Sequence, residues 1–224
     1  MPNLDYKIVC GNSLIGFPEF AQNVSGVKEI QKLKEDFFYE TNPANKCKLK
    51  NEIENKINSF FNQTKQYIGF HIDFDFKIYF PEVFNEKGGF DVIIANPPYI
   101  KEYTAKHAFD GLRASPYYQG KMDIWYLFAC KSLDLLKKDG VLTFIATNNW
   151  VTSFGASKMR NKVIKESQIL KLIDFNNYKI FESAEIQTMI MIFKKNKCID
   201  DYKFDVGLSS YPRELSGGEK QITC

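Results

Sequence analysis

The sequence predicts an α/β fold built on a largely parallel sheet, and two observations carry that prediction. Four short apolar runs end on turn or polar residues: "FDVIIA" (residues 90–95) before "NPPYI", "GVLTFIAT" (140–147) before "NNW", "QILKLIDF" (168–175) and "IQTMIMIFKK" (186–195). Between the first three lie segments with a helical apolar stripe, "MDIWYLFACKSLDLLKK" (122–138) and "SKMRNKVIKE" (157–166). Strand, helix, strand, helix, strand is the pattern of a sheet whose parallel strands are joined by helical crossovers.

The elements follow in order. "YKIVC" (6–10) reads as a short buried strand, and "GNSLIGF" (11–17) as its exit. From Val27 to Tyr67 the chain turns polar, with Ile30, Leu33, Phe37 and Phe38, then Ile53, Ile57, Phe60 and Phe61 at helical spacing. This predicts a helical pair broken at "TNPANK" (41–46). "FDFKIYFPEVF" (74–84) alternates like a strand as far as Pro81, and "NEKGGF" (85–90) is a turn into a buried strand. Gly140 is expected to end the helix that begins near Met122. The last apolar run either continues the parallel order or returns antiparallel at the edge.

At 224 residues, one sizeable core, or one core with an insertion, is expected. A net charge of +3 permits a polyanionic partner but does not point to one, so any nucleic-acid face has to be local. The five cysteines, Cys10, Cys47, Cys130, Cys198 and Cys224, form no CxxC pair, which fits reduced thiols in a cytoplasmic protein. His71 and His107 are too far apart and too poorly accompanied for a metal site. No apolar run approaches the ~20 residues of a membrane span, and the N-terminus has no apolar segment behind a basic start.

The corner Asn96-Pro97-Pro98-Tyr99 stands where a strand stops, the place where open α/β sheets bind ligands. Two prolines fix φ twice and remove two donors, leaving carbonyls held in direction. Asn96 adds a side-chain carbonyl and Tyr99 a flat π-face, a combination suited to a planar ring bearing an amino group. The loop "IKEYTAKHAFDGLRASPYYQGK" (100–121) beside it is long enough for a lid or a strand-contacting loop, with Lys101, Lys106, Arg113 and Lys121 for phosphate and Tyr117 and Tyr118 for stacking. Asp123 opens a helix, so capping explains it as well as ligand binding does. "LSGGEKQ" (215–221) resembles the signature of ABC-transporter ATPases, but no GxxxxGK[ST] loop accompanies it, and a polar turn is the better reading.

"NPPY" after an apolar strand, followed in order by "KMDIWYLF", "LLKKDGVLTFIATNNW" and "LIDFNNYKIFESAEIQTMIMIFKK", resembles the methylase region of type IIG restriction-modification enzymes, within the adenine-N6 DNA methyltransferases. The resemblance covers most of residues 5–195 outside the helical insertion. It implies the later part of a Rossmann-like sheet that uses S-adenosylmethionine: residues 1–198 as a partial catalytic domain with its insertion at about 21–68, and 199–224 as the start of a following segment. It implies Asn96 and the Pro97 carbonyl as acceptors for the target amine, Pro98 as their stiffener, and Tyr99 and Phe193 as aromatics around a flipped adenine. Asn12, Ser13, Phe128 and Asp123 become cofactor-binding residues, and double-stranded DNA the partner. Endonuclease and target-recognition regions are expected in the same full-length polypeptide.

Three positions depart from the family pattern. Asn12 replaces an Asp, Thr147 replaces a frequent Pro, and no GxG occurs among the 13 glycines, so the glycine-rich cofactor loop is missing. The chain is therefore expected to hold the catalytic half of the fold and part of the cofactor pocket, and to be weak or inactive alone. The alternatives are N-methylation of RNA or of a protein glutamine, and a non-catalytic nucleic-acid-binding fragment.

Overall fold

The computed structural model describes residues 5–16, 24–68, 72–178, 180, 186–196, 202–208 and 220–223. His71, Cys198, Cys224 and most of "LSGGEKQ" lie outside them. The chain forms two compact units, Met1–Lys87 and Gly88–Cys224. The boundary expected at 198/199 is not where the chain divides: residues beyond 199 add two strands to the sheet of the second unit.

The first unit is helical. Helix α1 (Val24–Tyr39) and helix α2 (Pro43–Ile68) form the expected pair. Asn42 ends the break by accepting the Ala44 N–H at 2.9 Å, and Pro43 follows at the first helical position, where its missing N–H costs nothing. Ile30 and Phe37 of α1, and Ile53, Ile57 and Phe61 of α2, form one core with Ile72 and Ile78. Lys34 is 3% exposed within this unit. Its ammonium donates to the Tyr79 carbonyl at 2.6 Å and pairs with Glu82 at 3.2 Å; burial lowers its pKa against the pull of Glu82.

Two strands expected here are not strands. Residues 5–8 form a turn with Tyr6 at φ 61° and Ile8 74% exposed, so "YKIVC" has neither the extended backbone nor the burial of a strand. "FDFKIYF" winds into α3 (Phe76–Tyr79) and runs on into α4 (Pro81–Lys87). The Asp75 carboxylate accepts the Lys77 N–H at 2.9 Å and starts α3, while Pro81 opens α4. Phe74 and Ile78, which satisfy an alternating and a helical period equally, are buried by the second.

The second unit is a sheet with helices. Its elements are β1 (Phe90–Ala95), α5 (Trp125–Leu135), β2 (Leu136–Thr147), α6 (Ser157–Glu166), β3 (Ser167–Asp174), β4 (Thr188–Lys195), β5 (Lys203–Leu208) and β6 (Lys220–Thr223). The strand order is β1-β2-β4-β3-β5-β6. β1 and β2 are parallel, as are β3 and β5, whereas β4 runs antiparallel to both β2 and β3. The last predicted strand thus returns antiparallel, but inside the sheet. The crossover through α6 leaves β2 and β3 one strand apart, and β4 fills that gap, pairing the backbone groups of both.

One face of the sheet is buried: Leu142, Phe144 and Ala146 of β2 pair with Phe193, Met191 and Met189 of β4, and all six are 6% exposed or less. Burying a side chain of this size contributes roughly 1.5–3 kcal/mol. The alternate face is barer. β1, expected as a buried strand, lies at the sheet edge with Val92 54% and Ile94 77% exposed.

Helix α5 ends at Leu135, before the expected Gly140. Leu136 already pairs with Phe90, and the next register pair is Val92 with Val141, so "KKDG" bulges out of β2. Asp139 takes φ 64°, and a Cβ on Gly140 would stand 2.9 Å from the Phe90 carbonyl oxygen.

The loop after β1, expected as a lid or a strand-contacting loop, is tied to the rest of its unit. Tyr117 donates to Asp134 at 2.7 Å, Tyr118 donates to Glu102, and Arg113 pairs with Asp110 at 2.7 Å. Lys158 donates to the carbonyls of Pro116 and Tyr118 at 2.9 and 2.7 Å. Arg113, Tyr117 and Tyr118 are therefore engaged with the protein itself. Among the described residues no helix is long and apolar enough to cross a membrane.

Candidate active site

β1 and β2 run the same way, so their exits open at one end of the sheet, and both carry polar residues there. At the β1 exit Asn96 is exposed, Pro97 buried, Pro98 exposed and Tyr99 half-buried. The Tyr99 hydroxyl lies 2.7 Å from Asn96 Oδ1 and 3.0 Å from the Ile145 carbonyl of β2. This holds the tyrosine ring against the neighbouring strand and aims the Asn96 amide. Burial, reinforced by Asp123, raises the Tyr99 pKa, so the hydroxyl stays a donor.

Past Tyr99 the chain docks on the start of α5. The Ile124 N–H donates to the Ile100 carbonyl at 2.9 Å, the Glu102 N–H to the Met122 carbonyl at 2.9 Å, and Lys101 bridges Asp123. Asp123 is 2% exposed, and neither carboxylate oxygen has a hydrogen-bond partner of normal geometry. Burial lifts its pKa to about 6 against weaker opposing pulls from the Trp125, Ile100 and Ile124 amides and from Lys101. The helix cap is Ile124, with no side-chain cap bond, so Asp123 does not act as a conventional N-cap. A buried carboxylate so weakly compensated fits a ligand that brings N–H or O–H donors or a positive charge. S-adenosylmethionine brings both kinds.

The β2 exit holds a network that the sequence reading missed. Trp125 Nε1 donates to Thr147 Oγ1 at 3.0 Å, Thr147 Oγ1 to Asn149 Oδ1 at 2.9 Å, and Tyr126 Oη to the same oxygen at 3.3 Å. Beside it the Asn148 amide donates to Asp174 at 3.1 Å, joining the exits of β2 and β3. The signal was present: a threonine where proline is frequent, followed by two asparagines and a tryptophan.

The sequence-predicted residues sort accordingly. Asn96, Pro97, Pro98, Tyr99 and Asp123 converge. Phe128 lies half-buried on α5, one turn beyond Asp123. Phe193 does not join them: it pairs with Leu142, which pairs with Ile93, three residues short of Asn96, and it packs edge-on to Trp150 at 6.0 Å with 1% exposure. A ring so placed packs within the core of the sheet. Asn12 and Ser13 belong to the first unit, where Asn12 Oδ1 accepts the Leu14 N–H at 3.1 Å in a local turn.

The chain is similar to known proteins. It is 31% identical over 121 residues to the type II methyltransferase M.HincII of Haemophilus influenzae, covering 52% of this chain and 24% of that protein. It is 26% identical over 120 residues to the type II restriction enzyme and methyltransferase RM.Eco57I of Escherichia coli, covering 51% of this chain and 12% of that protein. The matched stretch thus spans a quarter or less of either relative. The type IIG restriction endonuclease BpuSI is a structural neighbour with a TM-score of 0.44 and 16% identity, covering 60% of this chain and 19% of that one. The sequence profile of the Eco57I restriction-modification methylase family matches residues 19–181. S-adenosylmethionine is the cofactor of such methylases, and the mixed α/β sheet is of their Rossmann-like class. The chain belongs to the Eco57I restriction-modification methylase family.

Proposed function

We propose that this chain carries the methyl-accepting half of a type II adenine-N6 DNA methyltransferase. The observation that carries the reading is the corner itself: an exposed side-chain carbonyl, Asn96 Oδ1, aimed by Tyr99 at the end of β1 and followed by two prolines that hold the chain direction. Asn96 Oδ1 and the Pro97 carbonyl accept the two N–H groups of an exocyclic amine. Those bonds concentrate electron density on a nitrogen whose lone pair is otherwise delocalised into the ring. Pro98 fixes the second φ, and Tyr99 offers its ring to a base turned out of a double-stranded DNA.

S-adenosylmethionine, when bound, supplies the methyl group on a positively charged sulfur. Asp123 and Phe128 would hold it from α5. No glycine-rich loop accompanies these residues, so the pocket is partial and this chain alone is weak or inactive. Phe193 supports the sheet from within and is left out of the stack.

The test is incubation of duplex DNA and labelled cofactor with the longest polypeptide that carries this sequence, followed by mass spectrometry of the nucleosides. 6-Methyladenine is the expected product. Label on cytosine, on RNA or on protein glutamine would overturn the assignment.

A further inference from the structure

The network at the β2 exit has a direction, and the direction is fixed at its origin. An indole N–H can only donate, so Thr147 Oγ1 accepts from Trp125 at 3.0 Å. Having accepted there, the hydroxyl directs its own proton to Asn149 Oδ1 at 2.9 Å, and Tyr126 Oη donates to the same oxygen at 3.3 Å. Both hydroxyls thus fall on the amide oxygen of Asn149. Its Nδ2, carrying two donors, is turned out of the network, and no described residue accepts from it. Asn149 is exposed, while the Thr147 that fixes it is 3% exposed.

This donor stands at the same end of the sheet as the acceptor corner. Tyr99 reaches the Ile145 carbonyl of β2, four residues before Asn149. Asp123 acts electrostatically on the hydroxyls of both Tyr99, which aims Asn96, and Tyr126, which holds Asn149. The site thus presents acceptors from the β1 exit and one oriented donor amide from the β2 exit. An aminopurine is the complement of that pair, because it carries N–H donors on its exocyclic amine and unprotonated ring nitrogens near them. We infer that Asn149 is a second base-contacting residue, donating from Nδ2 to a ring nitrogen of the base whose amine is held by Asn96 and Pro97, with Thr147 as its positioning residue. The inference rests on the methyltransferase reading above and adds to it a contact that selects for the ring.

The variant that removes the donor is Asn149→Asp, which keeps an oxygen for Thr147 and Tyr126 and replaces the N–H groups with a second, charged oxygen. In the longest polypeptide carrying this sequence, methylation is measured on duplexes whose target is adenine, 1-deazaadenine or 7-deazaadenine. The expected result is a loss of about ten- to a hundredfold in kcat/KM for Asn149→Asp on adenine, the usual scale for one base-edge contact. One of the two deaza bases should cost the parent enzyme a similar factor and cost the variant nothing more. Thr147→Val should lower kcat/KM by a smaller factor, and Thr147→Ser, which keeps the hydroxyl, should restore it. If each deaza substitution costs parent and variant alike, Asn149 does not touch the ring and the inference fails. It also fails if Asn149→Asp instead weakens binding to all duplexes and flattens its salt dependence, the mark of a phosphate contact. An enzyme that methylates no adenine at all would bring down the function assignment, and this inference with it. A parent enzyme indifferent to both deaza bases would overturn the inference without recourse to any variant.

Discussion

The exits of β1 and β2 lie side by side and are held by opposite means. β1 is paired on one side only, with Val92 and Ile94 exposed, and its exit is stiffened covalently by Pro97 and Pro98. β2 is paired on both sides, and its exit is stiffened by hydrogen bonds running from Trp125 through Thr147 to Asn149. The difference follows from what each exit must leave free. At β1 the ligand-facing carbonyl of Asn96 carries one bond, from Tyr99, and keeps a lone pair free, so the rest of the rigidity comes from proline rings. At β2 the amide oxygen is the fastening, and the N–H groups are what remains. The comparison breaks most sharply at Asn96. Asn96→Ala removes the aimed acceptor but neither proline, so methylation should fall by about a hundred- to a thousandfold, the usual cost of one oriented group at the reacting centre. Affinity for duplex DNA should stay within about threefold. Turnover retained in a radiolabel transfer assay would show that the corner is only a turn.

Asp123 sits between the two exits and supplies the next largest effect. Its carboxyl titrates at about 6 in the folded chain against an ordinary 3.8, because burial disfavours the charge. Between those values the folded state holds a proton that the unfolded state has released. The contribution to stability is therefore fully present below pH 3.8 and is lost as the pH rises through about 6. Asp123→Asn removes this dependence. In urea unfolding the variant should match the parent at pH 3.5 and exceed it at pH 8, by at most about 3 kcal/mol. Equal stabilities at pH 8 would mean that Lys101 and the nearby amides already satisfy the charge. A gap at pH 8 that closes when S-adenosylmethionine is added would identify the ligand for which the carboxylate is kept.

The two exits were not equally legible in the sequence. The β1 exit was legible as a stiff polar corner, because proline and asparagine carry their geometry in their own covalent structure. The helical pair α1 and α2, and helices α5 and α6, were legible for a similar reason: long apolar periods admit one reading. The β2 exit was not read, because a threonine, an asparagine and a tryptophan become a network only when α5 brings Trp125 and Tyr126 beside them. Some short apolar runs were misread for the same reason. "FDFKIYF" satisfies two periods, and the Asp75 cap decides for the helix. "FDVIIA" has the composition of a buried strand, yet its burial depends on neighbours that composition does not name. Phe193 was assigned to the site from a matching motif, and only the register that sets it beside Leu142 shows it to be core.

The smallest effect sharpens the comparison further, since one group links the two exits. The Tyr99 hydroxyl lies within hydrogen-bond distance of both Asn96 Oδ1 at the β1 exit and the Ile145 carbonyl inside β2. Tyr99→Phe keeps the ring and deletes only that link. Water can reach the exposed Asn96 in its place, so the net loss should be about 1 kcal/mol, a roughly fivefold change. If the hydroxyl serves to aim Asn96, that fivefold should appear in kcat while KM for the duplex stays unchanged, because the aim matters only when the amine's electron density shifts. If it serves instead to hold the strand, the same kcal/mol should appear in urea unfolding and kcat should not move. Measured together, the two readouts decide whether the exits are one device or two.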